Sequence, residues 1–517
     1  MKFKRNYAKE GYSLFEGDNM QHSNLCAHKF KKGRFITPFN EIGASMTDEE
    51  SWTYGRLPEY IWIGLIFDYY GRKEAFHRLK QIIILLKNSV TDLSTLRLSD
   101  IFSLKDELQI LVYEIMMKHI DKEVLAPLTA IFTLSKHRKF VEYFYCKKNV
   151  DTRIQKLKDV LKKLMDHQSY NSTDIRYIVL VFLFQKRKIY IPKETIDLLN
   201  QYTLEEHSSD KMRTIRPTIR SIEMMALFSE TICKDYLCEF WNELSELTKC
   251  ELYTIVYKEE GRNMKTYLKT LHDILVYYTA LYENIKPLDQ KMKILIGIYT
   301  YSYKRFKEAV DHELFSTISG RGIIRVIIEN YIMMKYLCQI EKIDSDIWKK
   351  YEIYGIGQYK LILEKSREGC TNLKAPHFDE KYIETLVNEY MNEEFIDMDT
   401  RYFRGESVRE KAIKVNEKEL FGLLYDYDSA FEHGLWGAIR ESSFLKCDNP
   451  AHQYHCVPDC EDNIVMKSTA DDSVNVLNRT ILFLNEIYGI PEGLKKEAIE
   501  FEDKFTTEQN TGNTNRL

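Results

Sequence analysis

The residues best suited to chemistry stand in two groups toward the C-terminal end of the sequence. In the first, Arg325 and Glu329 stand four apart within RGIIRVIIENYIMMKYLCQI (321–340), with Asn330 beside them. About a hundred residues later Ser429 and His433 stand four apart within YDYDSAFEHGLWGAIRES (425–442). Residues three and four apart share a helix face. A helix over 417–442 would therefore set Asp426, Ser429, His433, Gly437 and Arg440 along one polar side and leave Tyr425, Phe431, Leu435, Trp436 and Ile439 to bury the remainder. Gly434 and Gly437 beside the histidine each cost about 1 kcal/mol against alanine in a helix interior, which points to a close approach to the backbone there. If the two helices meet, an imidazole, guanidinium groups and a carboxylate converge in one polar cluster, a set able to move protons and hold an anion. Arg325, Glu329, His433 and Arg440 are the candidate catalytic residues, and Asn330 and Ser429 the candidate substrate contacts. The plainer reading is structural: buried polar groups satisfy one another, and Arg325–Glu329 is an intrahelical pair worth about 0.2–0.5 kcal/mol on a solvated face.

The second group is the loop CDNPAHQYHCVPDC (447–460), with Cys447, His452, His455, Cys456 and Cys460 as soft-metal ligands. Zinc takes four Cys or His ligands in a tetrahedron, and a compact loop can supply them. The spacing is not that of a recognised finger: only Cys456 and Cys460 make a familiar pair. Two alternatives stand beside zinc. The loop is held by a turn at Asn449-Pro450, or His452 or His455 folds back onto the His433 helix.

These groups must be positioned by helices. The chain has 517 residues, 44% of them hydrophobic, enough for more than one core. Alternating strand patterns are scarce, and clusters such as IIRVIIE fit a 3.6-residue period, so the fold class expected is all-α. Helices are expected near 264–284, 289–315, 321–341, 345–366, 379–393, 417–442 and 471–488, after a longer series of short helices in the N-terminal half and one long helix over Thr218 to Thr248. The EEGRN stretch (259–263) interrupts the apolar period. The expected organisation is an N-terminal helical domain over 1–258, a C-terminal helical bundle over 259–493 and a polar, disordered tail over 494–517.

Neither half has the strongly basic balance of a dedicated nucleic-acid binder, and the N-terminal half is the better suited to face phosphates: the formal net charge is -4, with 39 Lys+Arg against 33 Asp+Glu in the first 250 residues and 35 against 45 in the rest. A basic run, Lys147, Lys148, Arg153, Lys156, Lys158, Lys162 and Lys163, suits phosphates or a solvated helix face equally. The ten cysteines are scattered without framework spacing, which fits a reducing cytoplasm. The N-terminal residues lack an apolar signal-peptide core, and the runs IIILL and YIVLVFLF are far short of the ~20 residues that cross a bilayer. There is no phosphate loop, no Rossmann glycine pattern and no H-E-x-x-H. The SGRG stretch (319–322) is read as a turn before a helix.

The Arg325-x3-Glu329 helix followed by the Ser429-x3-His433 helix resembles an uncharacterised helical domain of bacterial proteins, itself similar to the HEPN superfamily, over about residues 290–490. The resemblance implies a helical bundle that dimerises, and metal-independent RNA cleavage in toxin, abortive-infection or phage-defence systems. It implies His433 as acid/base for the ribose 2′-OH, Arg325 or Arg440 as phosphate clamp and Glu329 as the group orienting one of them. The sequence departs from that family's Arg-x4–6-His spacing at His433. The spacing occurs instead at Arg72–His77, read as surface residues, and at Arg305–His312, both at chance frequency. The expectation is thus a cytoplasmic RNA-cleaving or RNA-binding homodimer that needs no cofactor, with the N-terminal half meeting a regulatory partner. The rivals are a non-catalytic helical interaction protein and a metal-dependent hydrolase built on zinc at the Cys447–Cys460 loop.

Overall fold

The structure is a computed structural model that describes residues 28–37, 50–227, 232–257, 262–286, 288–368 and 377–509. The fold is all-α, with short strand pieces at Lys29–Lys31, Arg34–Ile36, Leu252–Tyr253, Phe444–Cys447 and Cys456–Pro458. Among the described residues, no helix is long and apolar enough to cross a membrane.

The chain forms two compact units. The N-terminal unit takes residues 1–253 and then, from much later in the chain, 446–455; the C-terminal unit takes 254–445 and 456–517. The change at 253/254 precedes the boundary expected from sequence at 258/259, which lies outside the described residues.

The N-terminal unit is built on the helix Leu57–Tyr70, whose first ten residues are all buried. A helix apolar on every side must be surrounded, and this one packs against Arg72–Ser89, Val150–Leu164 and Tyr170–Gln185. The buried indole N–H groups find carbonyls: Trp52 donates to Leu164 and Trp62 to Leu96. The single helix expected over 218–248 is two, Met212–Leu227 and Lys234–Glu246, with Cys233 in non-helical geometry before the second. Pro217 sits inside the first.

The basic run is largely neutralised. Lys156 and Lys163 share Asp68, Lys148 holds Glu123, Lys158 holds Glu251 and Lys162 holds Asp448, while buried Arg153 donates to Thr129. Arg72 is not a plain surface residue either. Its guanidinium donates to Asp174 and to the carbonyls of Tyr202 and Glu205, because an arginine at the mouth of an aromatic cluster needs oxygen partners for its donors.

The C-terminal unit centres on Ile318–Glu341. Ile324, Ile327, Ile328, Tyr331 and Met334, the stripe expected from sequence, are all buried. Around this helix pack Gln290–Asp311, Ile347–Arg367, Val408–Lys414, Asp426–Glu432 and Ala470–Tyr488. Tyr267 donates to Asn478, which in turn donates to the Ala498 carbonyl, tying three helices through one buried amide. The last of these helices, Glu492–Gln509, runs through residues expected to be a disordered tail. Leu494, Ala498 and Phe501 recur at helical spacing and pack on the core, which the polar composition of the stretch conceals. Residues 510–517 lie outside the described residues.

Candidate functional site

Two helices of the C-terminal unit carry the first group. On Ile318–Glu341, Arg321, Arg325 and Glu329 follow at four-residue intervals; on the facing segment Tyr425, Asp428, Ser429 and Glu432 share a side. Arg325 donates from Nε to the Ser429 hydroxyl at 3.1 Å and from its terminal nitrogen to the Tyr425 hydroxyl at 2.8 Å. Glu329 lies 3.6 Å from the same nitrogen and accepts from the Tyr425 hydroxyl at 3.2 Å. The guanidinium also stands over the Tyr425 ring, 4.8 Å from its centre. Burial, followed by the Glu329 charge, pushes the Tyr425 phenol up to about 12, so it stays a donor at neutral pH. The Arg325 side chain remains 21% exposed.

One turn earlier, Arg321 and Asp428 form a drier pair. Their nearest charged atoms are 3.9 Å apart and both side chains are almost fully buried. Arg321 donates to the Lys467 carbonyl at 2.7 Å, whereas its Nε and the Asp428 Oδ1 have no hydrogen-bond partner. Burial pushes the Asp428 carboxyl up to about 7 against the pull of Arg321. Neither residue stood out in the sequence, although Arg321 precedes Arg325 by one turn and that spacing was the available signal.

The helix expected over 417–442 is broken. Lys418–Leu420 continues through a wider turn, Phe421–Tyr425, into Asp426–Glu432; the helix then stops, and Trp436–Ser443 starts anew. Gly434 has φ +54°. Its N–H donates to the Phe431 carbonyl, and the Leu435 N–H to that of Ala430. This pair of bonds is the Schellman ending, which uses glycine because a Cβ disfavours that backbone conformation. The glycine is therefore an end signal, not a point of close approach.

The break redistributes the expected site. His433 caps the C-terminus of its helix, one turn beyond Ser429, with an exposed ring, and is not among the partners of Arg325. Arg440 is exposed on the next helix. Asn330 turns away and donates to Ser302 at 2.9 Å. Of the six catalytic and substrate candidates, Arg325, Glu329 and Ser429 come together, joined by Tyr425. Arg305 pairs with Glu308, and His312 ends the same helix.

The second group is rearranged as well: Cys447, His452 and His455 belong to the N-terminal unit, whereas Cys456 and Cys460 fall in the C-terminal one. Cys447, His452 and His455 are joined by Cys250, not by Cys456 or Cys460; the four ligand atoms lie within 4.8 Å of one another. Cys456 opens a strand, where successive side chains alternate sides, and exposed Cys460 lies past its end. Cys250 Sγ stands 3.6 Å from His452 Nδ1 and 3.5 Å from His455 Nε2, and Cys447 Sγ stands 3.6 Å from His452 Nδ1.

The backbone fixes this arrangement. Leu252 and Tyr253 pair antiparallel with Cys447 and Lys446, and the Asp448 N–H donates to the Glu251 carbonyl. Asn449, fully buried, donates to the Lys249 carbonyl and caps the short turn Pro450–His452. Desolvation, then the neighbouring Cys447 sulfur, raises the Cys250 thiol above its usual range. Nothing in local spacing links Cys250 to this loop.

Residues 292–452 match a family described as "Family of unknown function (DUF5677)". That stretch includes the Arg325 and Ser429 helices and ends inside the Cys/His loop. No curated protein matches the chain, and no solved structure does.

Proposed function

We propose that the C-terminal unit acts on RNA, as a HEPN-like endoribonuclease or RNA binder working as a homodimer in phage defence or a toxin system. The observation that carries the reading is the meeting of the two motifs: Arg325 reaches Ser429 at 3.1 Å, and His433 follows one turn along the same helix with its ring exposed. In this reading His433 takes the proton of a ribose 2′-OH, the 2′-oxygen attacks the adjacent phosphorus, and the 5′-oxygen leaves with a proton from water. The products are a 2′,3′-cyclic phosphate and a 5′-hydroxyl. Arg325, with Arg440 on the neighbouring exposed helix, faces the charge that develops on phosphate. Exposed Leu435 and Trp436 beside His433 offer an apolar face to a second copy.

A second reading has its own support. Arg325, Tyr425, Glu329 and Ser429 form a closed hydrogen-bond set, as a helical interaction protein would need to hold its core in register. The test compares purified wild type with His433→Ala and Arg440→Ala on single-stranded RNA, alongside melting temperature and RNA integrity in expressing cells. Cleavage that persists in chelator and disappears in a His433→Ala protein that melts normally supports the nuclease. Neither cleavage nor RNA binding by the wild type leaves the interaction protein as the function.

A further inference from the structure

We propose that Cys250, Cys447, His452 and His455 bind one Zn²⁺ as a closed, structural centre that fastens residues 446–455 into the N-terminal unit. The inference is independent of the RNA reading, since all four ligands lie in the other unit.

Distances carry the argument first. With Zn–S about 2.3 Å and Zn–N about 2.0–2.1 Å, a tetrahedral angle sets neighbouring S and N ligands about 3.5 Å apart. Three of the four sulfur–nitrogen separations are 3.6, 3.5 and 3.6 Å, and the four ligand atoms all lie within 4.8 Å of one another. Hydrogen bonding between thiols and imidazoles explains them poorly: both sulfurs converge on the single Nδ1 of His452, and Cys250 also meets His455.

The surroundings prepare the ligands. His452 Nε2 faces the Thr248 hydroxyl at 3.1 Å and the Ser245 carbonyl at 3.4 Å. A proton on Nε2 satisfies that carbonyl and leaves the Nδ1 lone pair directed at the two sulfurs, the orientation that an outer hydrogen bond gives a metal-bound histidine. The Glu251 N–H points at Cys447 Sγ from 3.4 Å, a donor suited to a thiolate. Two residues next to ligands, Glu251 and Asp448, are held by Lys158 and Lys162 of the helix Val150–Leu164.

The donor set names the ion and the role. Two thiolates and two neutral imidazoles around a tetrahedron suit Zn²⁺. Binding sends two thiol protons to solvent and leaves a centre of zero net charge, compatible with a site that includes the buried Cys447. Four protein ligands leave no position for water or substrate, so the centre holds structure and does not catalyse.

The test uses the untagged full chain. Metal content is measured by mass spectrometry, and Co²⁺ is added to chelator-treated protein as a spectroscopic probe. The proposal expects one zinc per chain, a cobalt spectrum with thiolate charge transfer and tetrahedral ligand-field bands, and loss of both in Cys250→Ser. Cys456→Ser and Cys460→Ser should retain full zinc. Because Cys250 is exposed, its replacement leaves the core intact. Chelator should lower the melting temperature of the wild type but not of Cys250→Ser. Substoichiometric zinc with an octahedral cobalt spectrum, full zinc in Cys250→Ser, or a metal-free Cys250–Cys447 disulfide would each overturn it.

Discussion

The backbone carbonyl of Leu314 occupies the space into which a side chain at Gly320 would project, with the Phe315 carbonyl behind it. Two residues along the same helix, Gly322 meets instead the end of the Glu432 side chain. The obstacles differ in kind, because a carbonyl in a tight turn cannot yield and an exposed carboxylate can. Gly320→Ala should therefore destabilise by roughly 1–3 kcal/mol, the usual range for overpacking. Gly322→Ala should be neutral or gain up to about 1 kcal/mol from helix propensity. Urea unfolding of both variants checks this, and equal losses would show that both glycines are packing contacts of the same sort.

Tyr425 links Arg325 and Glu329 through one hydroxyl, as acceptor from the first and donor to the second. Tyr425→Phe keeps the ring beneath the guanidinium and removes both hydrogen bonds, while Arg325 keeps Ser429 and its pairing with Glu329, so a loss of about 0.5–1.5 kcal/mol is expected. With Glu329→Gln the effects should be non-additive by more than about 0.5 kcal/mol, as for residues sharing one network. A double-mutant cycle from denaturant melts measures the coupling. Simple additivity would mean that the set acts as separate contacts.

Asp428 gives a pH test with a defined sign. An aspartate in an unfolded chain titrates near ~3.9, whereas burial pushes Asp428 up to about 7 in the fold. The folded state holds its proton between those values. The stability contributed by the group is therefore complete below ~4 and lost as pH rises through about 7. Asp428→Asn stays neutral throughout, and relative to wild type it should gain on the order of 1 kcal/mol between pH 5 and pH 8. Melting curves of the pair at both pH values provide the comparison. A difference that does not change with pH, or that favours wild type at pH 8, would mean that Arg321 keeps the carboxylate charged.

Much of the C-terminal core can be read from sequence because its signals are local. The Ile324–Met334 stripe has helical spacing and is buried as spacing demands, and the four-residue intervals at Arg325 and Ser429 place those groups on faces that meet. The misreadings have specific physical origins. Gly434 before Leu435 is a helix-ending signal, and reading it as an interior glycine moves His433 and Arg440 onto one face that does not exist. The glycines of SGRG suggest a turn, yet they lie inside the helix that Thr317 caps, where Gly320 admits a neighbouring backbone. Cys250 was beyond reach for another reason. Pairing between segments about two hundred residues apart leaves no periodicity in either of them.

The discontinuity of the N-terminal unit has a consequence for the order in which the protein is made. A ribosome that has passed residue 253 has supplied most of that unit, but not Asn449 for the Lys249 carbonyl, Asp448 for Lys162 and the Glu251 carbonyl, or Cys447 beside Cys250. Those partners emerge only after the whole of the 254–445 stretch has been synthesised. Of the two units, the one translated earlier is thus completed only after most of the other has been made, and a chain cut short before residue 455 cannot close it.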